Sequence, residues 1–242
     1  MENRLLVIVP AFREEDNIIG VIREINEQIP GCDILVVNDC SPDHTFVRAC
    51  STGTARVINL PANLGVGGAV QTGFQFAVAN GYDMAVQIDG DGQHIPSEIR
   101  KLLDKQQETG ADMVIGSRFL DRETRKNSFR STWIRRVGIG TFSFLYRILL
   151  RVRVKDATSG FRLYNQKSFT LLSRYYPDDY PEPESVVLLI KCGMKVAETP
   201  VCMRQRAHGT SSITPLKSVY YMLKVMLCIL LASMRRRCPS GV

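Results

Sequence analysis

The chain has 242 residues, 45% of them hydrophobic, and a formal net charge of +7. That supports one generous α/β domain, or a domain with an appendage, and excludes a disordered chain. The charge is local: residues 117–155 hold eleven Lys or Arg against two acids, a +9 segment that leaves the rest near −2, so a specific anionic partner is expected.

The seven cysteines, odd in number and without a C-x-x-C pair, are expected to be reduced thiols of a cytosolic protein. Met1 to Arg4 leads at once into an apolar run, so no signal peptide is expected. Leu5 to Val9, closed by Pro10, reads as a buried strand. Glu14, Glu15 and Asp16 precede Ile18, Ile22, Ile25 and Ile29, a helical stripe with acids near its positive end. Asp33 to Val37 is a second strand leading into Asn38-Asp39-Cys40-Ser41-Pro42-Asp43, and Ala55 to Leu60 a third. Gly65, Gly67 and Gly68 open a helix marked by Val70, Phe74, Ala77 and Val78. Tyr82 to Ile88 is a fourth strand and ends in Asp89-Gly90-Asp91-Gly92-Gln93-His94. A helix carrying Ile99, Leu102 and Leu103 runs to Gly110, and Asp112 to Ile115 is a fifth strand. Later, Val186 to Ile190 reads as helix and Lys195 to Thr199 as strand.

Strands alternating with helices predict an α/β fold: a mostly parallel, Rossmann-like sheet with helices on both faces. Ligands of such sheets sit outside the carboxyl ends of the strands. Pro10-Ala11, Asn38-Asp39 and Asp89-Gly90-Asp91 all fall at such ends. Two carboxylates two residues apart on a glycine turn can face one point. With the Gln93 amide oxygen, Asp89 and Asp91 suit a hard divalent cation such as Mg²⁺ or Mn²⁺. An ordinary polar turn is the alternative for Asp and Gly here, and the surrounding chain decides between them. The glycine loop is not a dinucleotide fingerprint, because Val70 stands where a third glycine belongs. Its glycines serve either backbone approach to a phosphate or sugar, or close packing of helix on sheet.

Taken in order, Val9-Pro10-Ala11-Phe12-Arg13-Glu14-Glu15, Asn38-Asp39-x-Ser41-x-Asp43-x-Thr45, Asn63-x-Gly65-x-Gly67-Gly68-Ala69 and Asp89-x-Asp91-x-Gln93-His94 resemble the motifs of family 2 glycosyltransferases. Gly116-Ser117-Arg118-Phe119, Asp156-x-x-Ser159-Gly160-Phe161-Arg162 and Arg206-x-x-Gly209-x-Ser211-Ser212 extend the resemblance over residues 5 to 215. The branch it resembles is that of the dolichyl- or polyprenyl-phosphate sugar synthases. The resemblance implies an A-type glycosyltransferase fold, a nucleotide-sugar donor and one metal ion. It assigns Pro10, Ala11, Glu14 and Asp39 to the nucleotide pocket, Asp89, Gly90, Arg206 and Ser211 to the donor phosphates, and Asp89, Asp91 and Gln93 to Mg²⁺ or Mn²⁺. Asn38 departs from the family pattern, where many members have a second aspartate.

Asp91, Asp156 and Arg118 are the expected catalytic residues. Asp156 is a candidate base or acceptor-orienting group, or else an aspartate capping a turn. Arg118, Arg135 and Arg136 are candidates to fork onto an acceptor phosphate, or else part of a solvated basic face. Glu184 is a candidate acid on the acceptor side, and His208 reads as a loop residue. Trp133, Phe142, Phe144 and Leu145 lie among the arginines of residues 117–155, the pattern of an interfacial segment on anionic lipid. The acidic metal loop and parallel sheet argue against nucleic acid as the partner of this basic region. Residues 216–242 form an apolar stretch broken by Lys217 and Lys224 and closed by Arg235-Arg236-Arg237. It reads as an amphipathic helix lying in the membrane interface rather than crossing it. A core or partner-docking helix, including one for a small membrane protein, is the alternative.

The expected protein is thus a metal-dependent inverting transferase, peripheral at the cytosolic membrane face, moving a sugar from a nucleotide donor to a polyprenyl phosphate. Transfer to a sugar hydroxyl of a lipid-linked or cell-surface glycan is one alternative. A non-catalytic nucleotide-sugar-binding subunit of a membrane complex is the other.

Overall fold

A computed structural model describes residues 4–120, 146–148, 152–177, 181–204, 224, 226–227 and 230. Seven strands form one sheet: β1 (Leu5–Ala11), β2 (Asp33–Asn38), β3 (Arg56–Asn59), β4 (Met84–Gln87), β5 (Met113–Ser117), β6 (Arg162–Asn165) and β7 (Val196–Pro200). Their order across the sheet is β3-β2-β1-β4-β6-β5-β7. All neighbouring pairs run parallel except those of β6, which is antiparallel to both β4 and β5. The start of β6 therefore lies at the same sheet edge as the ends of the other strands.

The helices are α1 (Ile18–Gln28), α2 (Thr45–Ser51), α3 (Gly65–Ala79), α4 (Ile99–Thr109), α5 (Gln166–Tyr175) and α6 (Pro181–Lys191). Successive side chains of a strand face opposite sides of a sheet. Leu6 and Ile8 of β1 accordingly join a core with Phe74 of α3, Phe169 of α5 and Val186 of α6. Val7 and Val9 join a second core with Ile18, Ile22 and Ile25 of α1 and with Ile99 and Leu102 of α4. Helices thus cover both faces of a mostly parallel sheet, as the alternation predicts. A Cβ on Gly73 would stand 2.5 Å from Ile8 Cγ2, so α3 lies close against β1 because that position has no side chain.

The expected strands and helices are present, with ends moved by a few residues; β5 reaches Ser117 because that residue pairs with Pro200 of β7. β6, α2 and α5 had no counterpart in the sequence reading. Cys192, just past α6, is disulfide-bonded, against the expectation of reduced thiols, and the other half of the bond lies outside the described residues. Among the described residues no helix is long and apolar enough to cross a membrane. The interfacial pattern expected for 117–155 and for 216–242 falls mostly outside them. In the tail, Met226 packs against the first core while Leu227 and Leu230 are exposed.

Candidate active site

A cavity of about 520 Å³ opens at the carboxyl ends of β1, β2 and β4. Its lining comes from Pro10 and Ala11 at the end of β1, Phe12 and Glu14 after it, Asp39 after β2, and Val66 and Ala69 at the start of α3. Asp89, Gly90 and Asp91 after β4, Thr158 and Gly160 before β6, and Glu182 at the start of α6 complete it.

The first wall is held by side chains that accept from backbone. Asp39, 3% exposed, donates its N–H to Ala11 O (2.9 Å) and accepts the Leu64 N–H on Oδ1 (2.7 Å), pinning the glycine loop to β2. The Ser41, Asp43 and Thr45 of the second motif are structural. Ser41 Oγ accepts the Arg13 N–H (2.6 Å) and Thr45 Oγ1 accepts the Glu14 N–H (2.9 Å). Asp43 in turn accepts from the Ser41 and Thr45 hydroxyls and the Thr45 N–H. Burial pushes the Asp43 carboxyl up, but those bonds outweigh it and hold the group below the usual carboxylate range. Asn38 lies beneath this wall, 1% exposed, and donates Nδ2–H to Asn59 Oδ1 (2.6 Å).

The loop after β4 is folded around its own histidine. His94, 5% exposed, stacks on Phe161 with ring centroids 4.9 Å apart. Its Nδ1 accepts the Asp89 N–H (3.0 Å), which leaves Nε2 as the protonated nitrogen of the neutral ring, 3.7 Å from Asp89 Oδ2. Asp91 Oδ1 accepts the Gln93 N–H (3.0 Å). Both carboxylates remain at the cavity, and all the oxygen they offer is hard. That donor set fits a cation that completes its shell with substrate phosphate and water. Among the described residues no group of three or more His, Cys, Asp and Glu is arranged to hold a metal without such help.

The second wall buries its charges. Asp156 is 0% exposed and is gripped by Arg118: Nε–H to Oδ2 and Nη2–H to Oδ1, both 2.7 Å, with the Arg118 backbone N–H also on Oδ2 (3.1 Å). Burial alone would raise the Asp156 carboxyl, yet the adjacent guanidinium holds it below the ordinary value. Glu198 of β7 accepts the N–H groups of Lys155 and Asp156, both at 2.8 Å, and its own carboxyl is pushed up by burial. Arg162, 0% exposed, donates to the carbonyls of Ser159, Ala157 and Glu182 and to Ser185 Oγ, tying the 157–159 turn to the start of α6.

The structure brings Pro10, Ala11, Glu14, Asp39, Asp89, Gly90 and Asp91 to one cavity. Asp156, fully buried, and Arg118, half-buried, pair behind Thr158 and are not part of the lining. Gln93 is turned toward the chain after β7, its Nε2 3.5 Å from Arg204 O. Arg135, Arg136, Arg206, Ser211 and His208 lie outside the described residues. Of the two acids at the start of α6, Glu182 lines the cavity and Glu184 does not. Burial pushes the Glu182 carboxyl up, the Arg162 guanidinium opposes this, and the Asp89 charge reinforces it. Glu182 was missed because Glu-Pro-Glu offers two acids two residues apart, and only the packing of α6 decides which one faces the cavity. His94 stands in the same sequence motif as Asp89, but nothing in the sequence shows that it braces the Asp89 loop.

The model of Glycosyl transferase family 2 matches residues 6–172. A polyprenol monophosphomannose synthase of Mycolicibacterium smegmatis is 32% identical over 219 residues, 87% of this chain and 81% of that one. A UDP-N-acetylglucosamine–dolichyl-phosphate N-acetylglucosaminyltransferase of Methanococcus voltae is 28% identical, over 92% of this chain and 96% of that one. Among solved structures, glucosyl-3-phosphoglycerate synthase of Mycobacterium tuberculosis with Mn²⁺, UDP and phosphoglyceric acid superposes at TM-score 0.70. It is 20% identical and covers all of this chain and 82% of that one, a likeness of fold.

Proposed function

The chain belongs to glycosyl transferase family 2, and from that premise we propose that it moves a sugar from a nucleotide donor onto a polyprenyl-type phosphate. The observation that carries the reading is the convergence of Asp39, Asp89 and Asp91 on one cavity at the strand ends. The acceptor class comes from the relatives, named for a polyprenol and a dolichyl phosphate and for two different sugars.

Asp39, with Pro10 and Glu14 beside it, takes the nucleoside end of the donor. Asp89 and Asp91 would hold Mg²⁺ or Mn²⁺, whose contribution when bound is to neutralise charge on the departing diphosphate. His94 keeps the Asp89 loop in place through the Asp89 N–H. Attack from the opposite side of the sugar inverts the anomeric centre. A lipid phosphate is anionic near neutral pH and needs positioning rather than a base. The Arg118–Asp156 fork suits that role, because a carboxylate with both oxygens engaged by a guanidinium is a poor proton acceptor and a good anchor. Arg135, Arg136, Arg206 and Ser211 are proposed to contact phosphate, and Gln93, turned toward Arg204 O, would have to swing back to serve as a third metal ligand. Residues 1–215 are the transferase domain and 216–242 the membrane-associating tail, at the cytosolic face. The tail is also where a small membrane-protein partner would dock.

Glu182 favours a second reading. A carboxyl with its proton affinity raised by burial, facing the cavity, is placed to deprotonate a sugar hydroxyl. The two readings separate on Glu182→Gln, assayed with Mn²⁺, a panel of nucleotide sugars and polyprenyl phosphate, with product lipids read by mass spectrometry. A phosphate acceptor predicts a loss of less than about tenfold, and a hydroxyl acceptor a loss of about 10²–10⁴ with a rate that rises with pH above the ordinary Glu range. No glycolipid from any donor overturns the phosphate acceptor.

A further inference from the structure

Gln87 ends β4 two residues before Asp89, is 0% exposed, and has no hydrogen-bond partner on either Nε2 or Oε1. A buried primary amide with neither end satisfied is costly, which calls for a reason in a folded protein. Its surroundings supply one. The position a Cβ would take on Gly160 is 3.3 Å from Gln87 Nε2, 3.3 Å from Asp89 Oδ1 and 3.4 Å from Asp89 Oδ2. The amide nitrogen and both carboxylate oxygens therefore border the same small space, left open by the missing side chain of Gly160. On its other side Gln87 is paired in the ladder with Arg162, and directly opposed residues of two strands share a face. Arg162 spends one Nη2 hydrogen on Ala157 O, and Nη2 carries a second.

We propose that Gln87 is a positioning residue for Asp89, its amide bridging from the Arg162 guanidinium to the carboxylate when Asp89 takes up a divalent cation. Nε2–H donates to the Asp89 oxygen that faces away from the ion, and Oε1 accepts from Arg162. A ligating carboxylate keeps lone pairs that need a donor, and a donor behind the ligand sets its angle. An amide does this without adding positive charge that would compete with the ion. The unmet bonds of the ion-free protein are then met in the loaded one. This rests on the reading that Asp89 and Asp91 hold a cation.

The test is Mn²⁺ alone, titrated into the full-length chain and followed by the electron paramagnetic resonance signal of the free ion. Gln87→Met keeps the volume and removes both polar ends. Its Mn²⁺ affinity is expected to fall by about tenfold or more, with the metal-free melting temperature unchanged or raised, because no hydrogen bond of the ion-free protein is lost. Gly160→Ala leaves Gln87 in place but pushes a methyl between it and Asp89, and is expected to weaken Mn²⁺ in the same direction. Affinity within about twofold of the parent in either variant overturns the proposal. So does a Gln87→Met chain that melts earlier without metal or fails to fold, since the amide is then part of the packing. Parent protein that binds no Mn²⁺ instead removes the cation reading itself.

Discussion

The two walls of the cavity handle charge in opposite ways. On the β1–β2–β4 wall the acids stand at or beyond the ends of parallel strands, and two of them are steadied by backbone N–H groups, Asp39 by Leu64 and Asp91 by Gln93. On the β6–α6 wall the charges other than Glu182 are withdrawn: Asp156 is sealed against Arg118, and Arg162 is spent on carbonyls of the 157–159 turn and of the start of α6. The first wall presents charge to a ligand, while the second, Glu182 apart, uses charge to hold a shape. A substitution on the first should therefore cost activity and little stability, and on the second stability before anything else.

The largest effect tests the first half of that contrast. Asp91→Ala is expected to lower glycosyl transfer by about 10³-fold, as removal of a main electrostatic stabiliser of a leaving group does. Its melting temperature should move little, because the bond it gives up to the Gln93 N–H is worth about 1 kcal/mol. A variant that is inactive because it is unfolded would erase the distinction between the walls.

Asp156→Asn tests the other half. Removing one partner of a buried, forked ion pair leaves the Arg118 guanidinium uncompensated and is expected to cost about 3–5 kcal/mol in urea unfolding at neutral pH. The Asp156 carboxyl is held below its ordinary value of 3.8, so its contribution is present above that pH. It is lost as pH falls through the lowered value, so parent and variant should converge in stability only in strong acid. Convergence already near neutrality would mean the fork contributes nothing.

The same contrast explains what could be read from the sequence. On the first wall each functional residue directly follows an apolar strand, so Asp39, Asp89 and Asp91 are found by finding β2 and β4. On the second wall the contacts are remote: Arg118 meets Asp156 across 38 positions and Arg162 meets Ser185 across 23. β6 is a four-residue strand, Arg-Leu-Tyr-Asn, whose arginine and asparagine hide any strand pattern, and its reversal in the sheet is set by its neighbours alone. α2, seven residues long with Thr45 and Ala49 as its buried positions, is too short to display helical periodicity. Asp156 could be singled out by its motif, but its burial behind the lining could not, because nothing local distinguishes a base from an anchor.

The smallest effect falls where the walls meet solvent. Beyond β7 the chain crosses back over the loop after β4: Arg204 N–H donates to Gln93 O (2.9 Å), and Met203 bridges to His94. Arg204 also forks onto Glu24 of α1, Nη1 to Oε2 at 2.7 Å and Nη2 to Oε1 at 2.6 Å, but its side chain is 47% exposed. An exposed pair is screened and entropically costly, so Arg204→Ala is expected to change stability by less than about 1 kcal/mol. The crossing is made by backbone atoms, which the substitution leaves alone, so transfer activity should stay close to that of the parent. If Arg204→Ala instead loses activity while its melting curve is unchanged, the fork to Glu24 is holding the crossing in place. The first wall would then rely on a charge pair as much as the second does.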